Sequence, residues 1–204
     1  MKNKKNNQRD VGLMFEVGCL RHMPRSWKRF LNPDVANNTE HTMRVIWLAL
    51  LISKYEKPVN EEKILKMALV HDLPESRTGD VDYLSRQYVE RKEEKAVDNI
   101  FKATAFEKEM PTLWHEYEKR ISLEAKIVKD ADNLDVELEL IEQTSQGHSM
   151  GTIWKDWRQK KVYPRLYTAF AKKLWQEIRQ ADPHGWHLNA DNRFIGGDWQ
   201  KSKK

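Results

Sequence analysis

Ala68-Leu69-Val70-His71-Asp72-Leu73-Pro74-Glu75, with a turn at Thr78-Gly79-Asp80, is the stretch around which the chain is organised. An apolar helical run ends on a histidine followed by an aspartate, offering an imidazole and a carboxylate to one point. Those donors suit a divalent transition metal. The dipeptide alone is a weak signal, because it arises by chance in many chains of this size. Pro74 restricts Leu73 and stops regular helix nearby. Glu75 is therefore expected on a bend just beyond the pair, and Asp80 on the following turn.

Working outward, Asn60 caps the helix that leads into this stretch, and Glu61 and Glu62 occupy its first turn, where the dipole favours carboxylates. Ile64, Leu65 and Ala68 mark its inner face. Upstream, Asn37, Asn38 and Thr39 supply capping groups before a helix expected from Glu40 to Tyr55. Its buried stripe is Val45, Leu48, Ala49 and Ile52. His41 stands one turn before Val45 on that stripe and so points inward. Downstream, Ser122 caps a helix predicted to run to Ser145, before Gly147, with Ile127, Ala131, Leu134, Leu138 and Ile141 as its apolar stripe. Asp132 lies between Val128 and Val136 at four-residue spacing, on an adjoining apolar face. Asp130 has Lys126 four residues before it and Asp135 has Glu139 four residues after it, so both are expected nearer to solvent.

Two histidines and two aspartates directed inward from three helices are hard to satisfy in pairs, because an unpaired buried carboxylate is costly. One divalent cation satisfies all four. Such a donor set leaves positions open in a six-coordinate Mn, Co or Fe site.

Elsewhere, Val11 to Leu20 reads as a short helix, Leu20 to Trp27 as a basic and aromatic loop, and Asn32-Pro33-Asp34 as a turn. Tyr83 to Lys108 reads as a long charged helical region. Pro111 opens a short helix through Leu113, Trp114 and Tyr117. A last helix is expected from Gln159 to Ala181. The tail from Pro183 carries Trp186, Phe194 and Trp199, which are expected to dock on the body. No strand pair, repeat or linker is evident. The expectation is all-α: one helical domain over residues 12–182, a basic tail at 1–11 and a C-terminal extension at 183–204.

A chain of 204 residues suits one domain with a substantial core. The formal charge of +5 resides in the termini: without residues 1–10 and 201–204 the balance falls to −1. Solvated tails account for it, and a nucleic-acid partner is not expected. No apolar run is long enough to span a bilayer, and the first residues lack the apolar core of a signal peptide. The single cysteine, Cys19, excludes an intramolecular disulfide. These features imply a cytoplasmic protein.

His41, His71, Asp72 and Asp132 together resemble the metal site of the HD-domain phosphohydrolases, in particular the branch containing 5′-deoxynucleotidases. The resemblance covers roughly residues 12–180. His-Asp-x-x-Glu-x-x-x-Gly-Asp, from His71 to Asp80, matches the family pattern in register. The resemblance implies a helical-bundle fold, one divalent metal per chain and a homodimer. It also implies a small-molecule nucleotide substrate, with water attacking a phosphate monoester. Asp80 resembles the group that positions or deprotonates that water and Glu75 a second acid beside it; which is the base stays open. In Met23-Pro24-Arg25-Ser26-Trp27, relatives carry a glycine before the tryptophan that this chain lacks. Arg25 is the implied fork on the phosphate and Trp27 the implied wall against the sugar. Lys129 and Asn133 are secondary contacts on this reading. Two alternatives remain: a nucleotide phosphodiesterase of the same superfamily, and a non-catalytic helical binding module held by its metal. Only His115 falls between Asp72 and Asp132, which disfavours a binuclear, phosphodiesterase-type site.

Overall fold

The protein is described from a computed structural model covering residues 2–189. It is all-helical, and among the described residues the only β-type pairing is an isolated bridge between Pro24 and Asn37. The expected aromatics at Phe194 and Trp199 lie outside the described residues.

Three helices carry the core. The first, α2 (Asn38–Ser53), starts where the Asn37 side chain accepts from the backbone of Thr39 and Glu40 while the Glu40 carboxylate returns to the Asn37 N–H, a reciprocal capping box. It buries His41, Val45, Leu48, Ala49 and Ile52 in one stripe. Next, α3 (Glu61–Val70) is capped by the Asn60 side chain and buries Ile64, Met67 and Ala68. The longest, α7 (Leu123–Ser145), starts at the Ser122 cap and presents Ile127, Val128, Ala131 and Leu134 to the other two. Between Val70 and Asp80 the chain turns through residues 71–74, makes the single turn α4 (Glu75–Thr78) and leaves through Gly79 at φ 74°. That left-handed conformation favours glycine, and it brings Asp80 back towards residues 25 and 26.

The first helix starts earlier than the expected Val11: α1 spans Lys2–Cys19. Arg9 donates to the carbonyls of Ile100 and Lys102, and the Asp10 carboxylate accepts from the Ala105 N–H. These bonds fasten α1 beside α5 (Glu93–Phe101) and α6 (Glu109–Lys119), where Leu13, Val97, Ile100, Phe101 and Trp114 share a second core. The expected turn at Asn32-Pro33-Asp34 forms, with the Asn32 side chain accepting from the Asp34 N–H.

Four expectations need correction. The long helical region expected at 83–108 is helical only in part. Only a 3-10 turn at Ser85–Gln87 precedes α5, and Tyr88 and Val89 are exposed. The chain then leaves α5 through an extended Lys102 and a left-handed Ala103, with the Thr104 hydroxyl donating to the Phe101 carbonyl. The last helix is two: α8 (Met150–Lys161) and α9 (Ala169–Ile178). Pro164 permits only a 3-10 turn between them, and Leu166 is extended. Within α10 (Gly185–Leu188), Trp186 does not dock: it is 80% exposed.

The fourth correction bears on the site. Asp130 and Asp135 are both buried, at 0% and 3% exposure. Their partners come from other elements, which spacing along one helix does not reveal. Asp130 accepts from the Tyr167 N–H, the Thr168 N–H and the Thr168 hydroxyl, all at 2.8 Å. Thr168 in turn caps α9, so Asp130 fastens α9 to α7. Asp130→Ala leaves buried donors without acceptors, each costing about 1–3 kcal/mol. It should lower unfolding stability in urea by about 3 kcal/mol, and a loss below about 1 kcal/mol would contradict this joint.

Candidate metal centre

The inward faces of α2 and α7 and the turn after α3 meet at one point. His41 occupies the first turns of α2, His71 and Asp72 follow α3 directly, and Asp132 lies in the third turn of α7. His41 Nε2 and His71 Nε2 are 3.3 Å apart. Asp72 Oδ2 lies 3.4 Å from each of these nitrogens, and Asp132 Oδ1 lies 3.4 Å from His41 Nε2. Nitrogen and oxygen ligands sit about 2.0–2.2 Å from a small divalent cation, so neighbours in one shell are about 3 Å apart. Those spacings suit one ion beside His41 Nε2, and His41, His71 and Asp132 form the group whose ligand atoms all lie within 4.8 Å of one another.

Ring hydrogen bonding supports the same use. His71 Nδ1 is 2.7 Å from the Ala68 carbonyl, and His41 Nδ1 is 2.5 Å from Asp135 Oδ2. Each Nδ1 faces an acceptor, which directs the Nε2 lone pair of a neutral ring to the centre. Two such lone pairs and two carboxylates leave a deficit of positive charge that a divalent cation fills.

The electrostatics of the two histidines diverge. Burial holds His71 below its ordinary range. Burial and the Arg25 charge press His41 the same way, yet its hydrogen bonds to Asp132, Asp135 and Asp72 hold it well above. Burial opposes ionisation of Asp72 and Asp132, but their neighbours outweigh it. His71, His41 and Arg25 hold Asp72 low, and Lys129 and His41 do so for Asp132. A proton on His41 Nε2 and a divalent cation thus compete for the same carboxylates.

Beside the four donors opens a cavity of about 180 Å³, lined by Asp72, Glu75, Asp80 and Asp132 and by the cations Arg25, Arg86, Arg91, Arg120 and Lys129. Asp80 Oδ2 accepts from the Ser26 N–H at 2.8 Å and lies 3.7 Å from Arg25 Nε. The Arg25 guanidinium also donates to Asp72 at 2.7 Å. Glu75 is buried, with one oxygen 2.7 Å from Asn38 Nδ2 and the other 3.1 Å from Arg91 Nη1. Burial first, then the charges of Asp72 and Asp80, pushes its carboxyl up to about 9. Lys129 Nζ is 2.6 Å from Asp132 Oδ2.

Six of the eight candidate residues share this neighbourhood with Arg25 at its wall; Trp27 does not line the cavity. In the 3-10 turn Ser26–Arg29, its ring packs edge-on against Trp154 at 5.2 Å, behind His41 and Asp135. Asn133 turns its amide back to the Lys129 carbonyl. Sequence reasoning missed Asn38, Arg91, Arg120 and Asp135. In the sequence Asn38 reads only as a capping group, and Arg91 and Arg120 lie outside any periodic stripe. Arg120 adopts a left-handed backbone at the end of α6, and its guanidinium rests over the Tyr117 ring at 3.9 Å.

A sequence model described as "HD domain" matches residues 17–175. The chain is 36% identical over 128 residues to 5′-deoxynucleotidase HDDC2 of Danio rerio, covering 59% of this chain and 62% of that protein. It is 30% identical over 143 residues to 5′-deoxynucleotidase HDDC2 of Homo sapiens, covering 67% and 69%. The match thus spans less than two thirds of the Danio rerio relative's length. Among solved structures, the PH0347 protein of Pyrococcus horikoshii OT3 is similar with a TM-score of 0.68 at 25% identity, over 83% of this chain and 98% of that one. A predicted metal-dependent phosphohydrolase from Magnetospirillum magnetotacticum MS-1 shares the fold, with a TM-score of 0.69 at 22% identity over 87% and 93%. The sequence match extends from the end of α1 into α9 and takes in all four donors, and on that ground the chain belongs to the HD domain family.

Proposed function

We propose that the protein is a metal-dependent phosphohydrolase that removes the 5′-phosphate from deoxynucleoside monophosphates. The observation that carries the reading is the placement of Glu75 and Asp80 on the same small cavity as His71, Asp72 and Asp132. A metal held only to brace helices needs no further acids facing an open cavity. The Danio rerio and Homo sapiens relatives, named 5′-deoxynucleotidases, supply the substrate class.

His41, His71, Asp72 and Asp132 would hold the ion, which would supply Lewis acidity for a phosphoryl oxygen and lower the pKa of water. The remaining work falls to the chain. Arg25 and Lys129 line the cavity where a phosphate would arrive, while Arg25 also holds Asp72 and Lys129 holds Asp132. Asp80, fixed by the Ser26 N–H, is placed to take the proton of the attacking water, and Glu75, held by Asn38 and Arg91 with its carboxyl raised to about 9, would share that role only in its ionised form. His41, His71 and Asp132 form the one group of candidate metal-ligating side chains among the described residues, which favours monoester over binuclear diester chemistry.

We also infer that the protein is a homodimer. Met43, Trp47, Leu51 and Tyr55 recur every four residues along α2 and its C-terminal edge and are all exposed, Trp47 at 67%. Light scattering should give about twice the 24.3 kDa chain mass at micromolar concentration; a monomer mass would reject this.

The test of the function is phosphate release from a panel of nucleoside mono-, di- and triphosphates, ribo and deoxy, with Mn or Co supplied. Deoxynucleoside monophosphates should be preferred. Asp80→Asn and Glu75→Gln are nearly isosteric, and at least one should lower turnover by about two to four orders of magnitude with metal content intact. Arg25→Ala should weaken phosphate binding by about 1.5–3 kcal/mol. Parent rates in both carboxamide variants would refute the proton-transfer scheme.

A further inference from the structure

His41 is gripped from both sides by one helix. Asp132 faces its Nε2 at 3.4 Å, and Asp135, one turn further along α7, faces its Nδ1 at 2.5 Å. Asp135 is itself held. Arg44, three residues after His41 on α2, donates Nε–H to the other Asp135 oxygen. The same guanidinium donates Nη1 to both Glu142 oxygens at 2.8 Å and Nη2 to Glu139 at 3.1 Å. Asp135, Glu139 and Glu142 therefore form a ladder on α7 that takes up the guanidinium edge by edge.

We propose that Asp135 is a positioning residue of the metal centre, setting the ring orientation and tautomer of His41, and that Arg44 sets the orientation of Asp135. The inference rests on the reading of the four donors as a metal site. An ionised carboxylate only accepts hydrogen bonds. With one Asp135 oxygen taken by Arg44, the other requires a donor, and the nearest is His41 Nδ1–H. That proton on Nδ1 leaves Nε2 bare toward the site. Partners of this kind on a ligating histidine fix its tautomer, and their removal typically costs 10–100-fold in metal affinity. The alternative, that Asp135 serves only to balance Arg44, is disfavoured by the surplus of acid: Glu139 and Glu142 already pair with that guanidinium.

The substitution that separates the two roles is Asp135→Asn. Arg44 can only donate, so it captures the carboxamide oxygen and turns the amide NH2 toward His41 Nδ1. The ring must then accept at Nδ1 and carry its proton on Nε2, facing the metal site. Co2+ affinity, followed by visible absorption, should fall by about 10–100-fold or more, and long-range 1H–15N spectra should show His41 in the other tautomer. Adding Arg44→Met frees the amide to rotate and offer its oxygen to Nδ1. The double variant should recover most of the affinity of Arg44→Met alone.

A folded Asp135→Asn variant with parental Co2+ affinity and tautomer would overturn the proposal, as would a double variant no tighter than Asp135→Asn. Should Asp135→Asn not fold, Arg44→Met is compared with Arg44→Met/Asp135→Ala, which removes the acceptor without stranding the guanidinium. Affinity lower by about tenfold or more supports the proposal, and equal affinities overturn it. A parent protein that takes up no Co2+ overturns the metal reading itself, and this inference with it.

Discussion

Everything near the centre of this fold depends on one electrostatic constraint: His71 Nε2, Asp72 Oδ2 and Asp132 Oδ1 all lie within 3.4 Å of His41 Nε2, away from bulk water. Bringing carboxylates together in a poorly solvated place is expensive unless positive charge arrives with them. The chain provides part of that charge through Arg25 on Asp72 and Lys129 on Asp132. The proposed cation provides the rest, and so the residues that make the cluster costly are the ones that give it a use.

The helices are arranged to hold this cluster rigidly. The His41 side chain springs from the same stripe that buries Val45, Leu48 and Ile52, so the ring cannot move without the core. His71 follows the packed end of α3 without an intervening loop, and Trp114 Nε1 donates to its carbonyl at 3.2 Å. Asp132 is fixed by α7, which is fastened to α9 through Asp130. The acids assigned to proton transfer sit instead on short, tightly turned backbone, α4 and the turn after Gly79. Two of the proposed ligands thus lie on the long helices α2 and α7 and two on the turn that ends α3, with the acids on short backbone just beyond.

The convergence of the four proposed ligands was legible because each lies on a periodic apolar stripe or abuts its end, and caps at Asn37, Asn60 and Ser122 located the helices that carry them. Asp130 and Asp135 were misread for one physical reason. Spacing along a helix reports neighbours on that helix only, whereas Asp130 is satisfied by backbone N–H groups at residues 167 and 168 and Asp135 by His41 and Arg44 of α2. Arg91 and Arg120 reach the cavity from a loop and a helix end, where no pattern marks them. The helical region expected at 83–108 holds only a 3-10 turn before α5 and breaks after it at the left-handed Ala103, and the helix expected at 159–181 breaks at Pro164, whose ring and missing N–H oppose continuous helix.

The central claim is that four named side chains bind one ion. Elemental analysis of the purified protein, after chelation and after reconstitution with Mn, addresses it directly. The account predicts about one ion per chain, lost on chelation and regained with Mn, and none retained by His71→Ala or Asp72→Ala variants that remain folded. Full occupancy in either variant would contradict it.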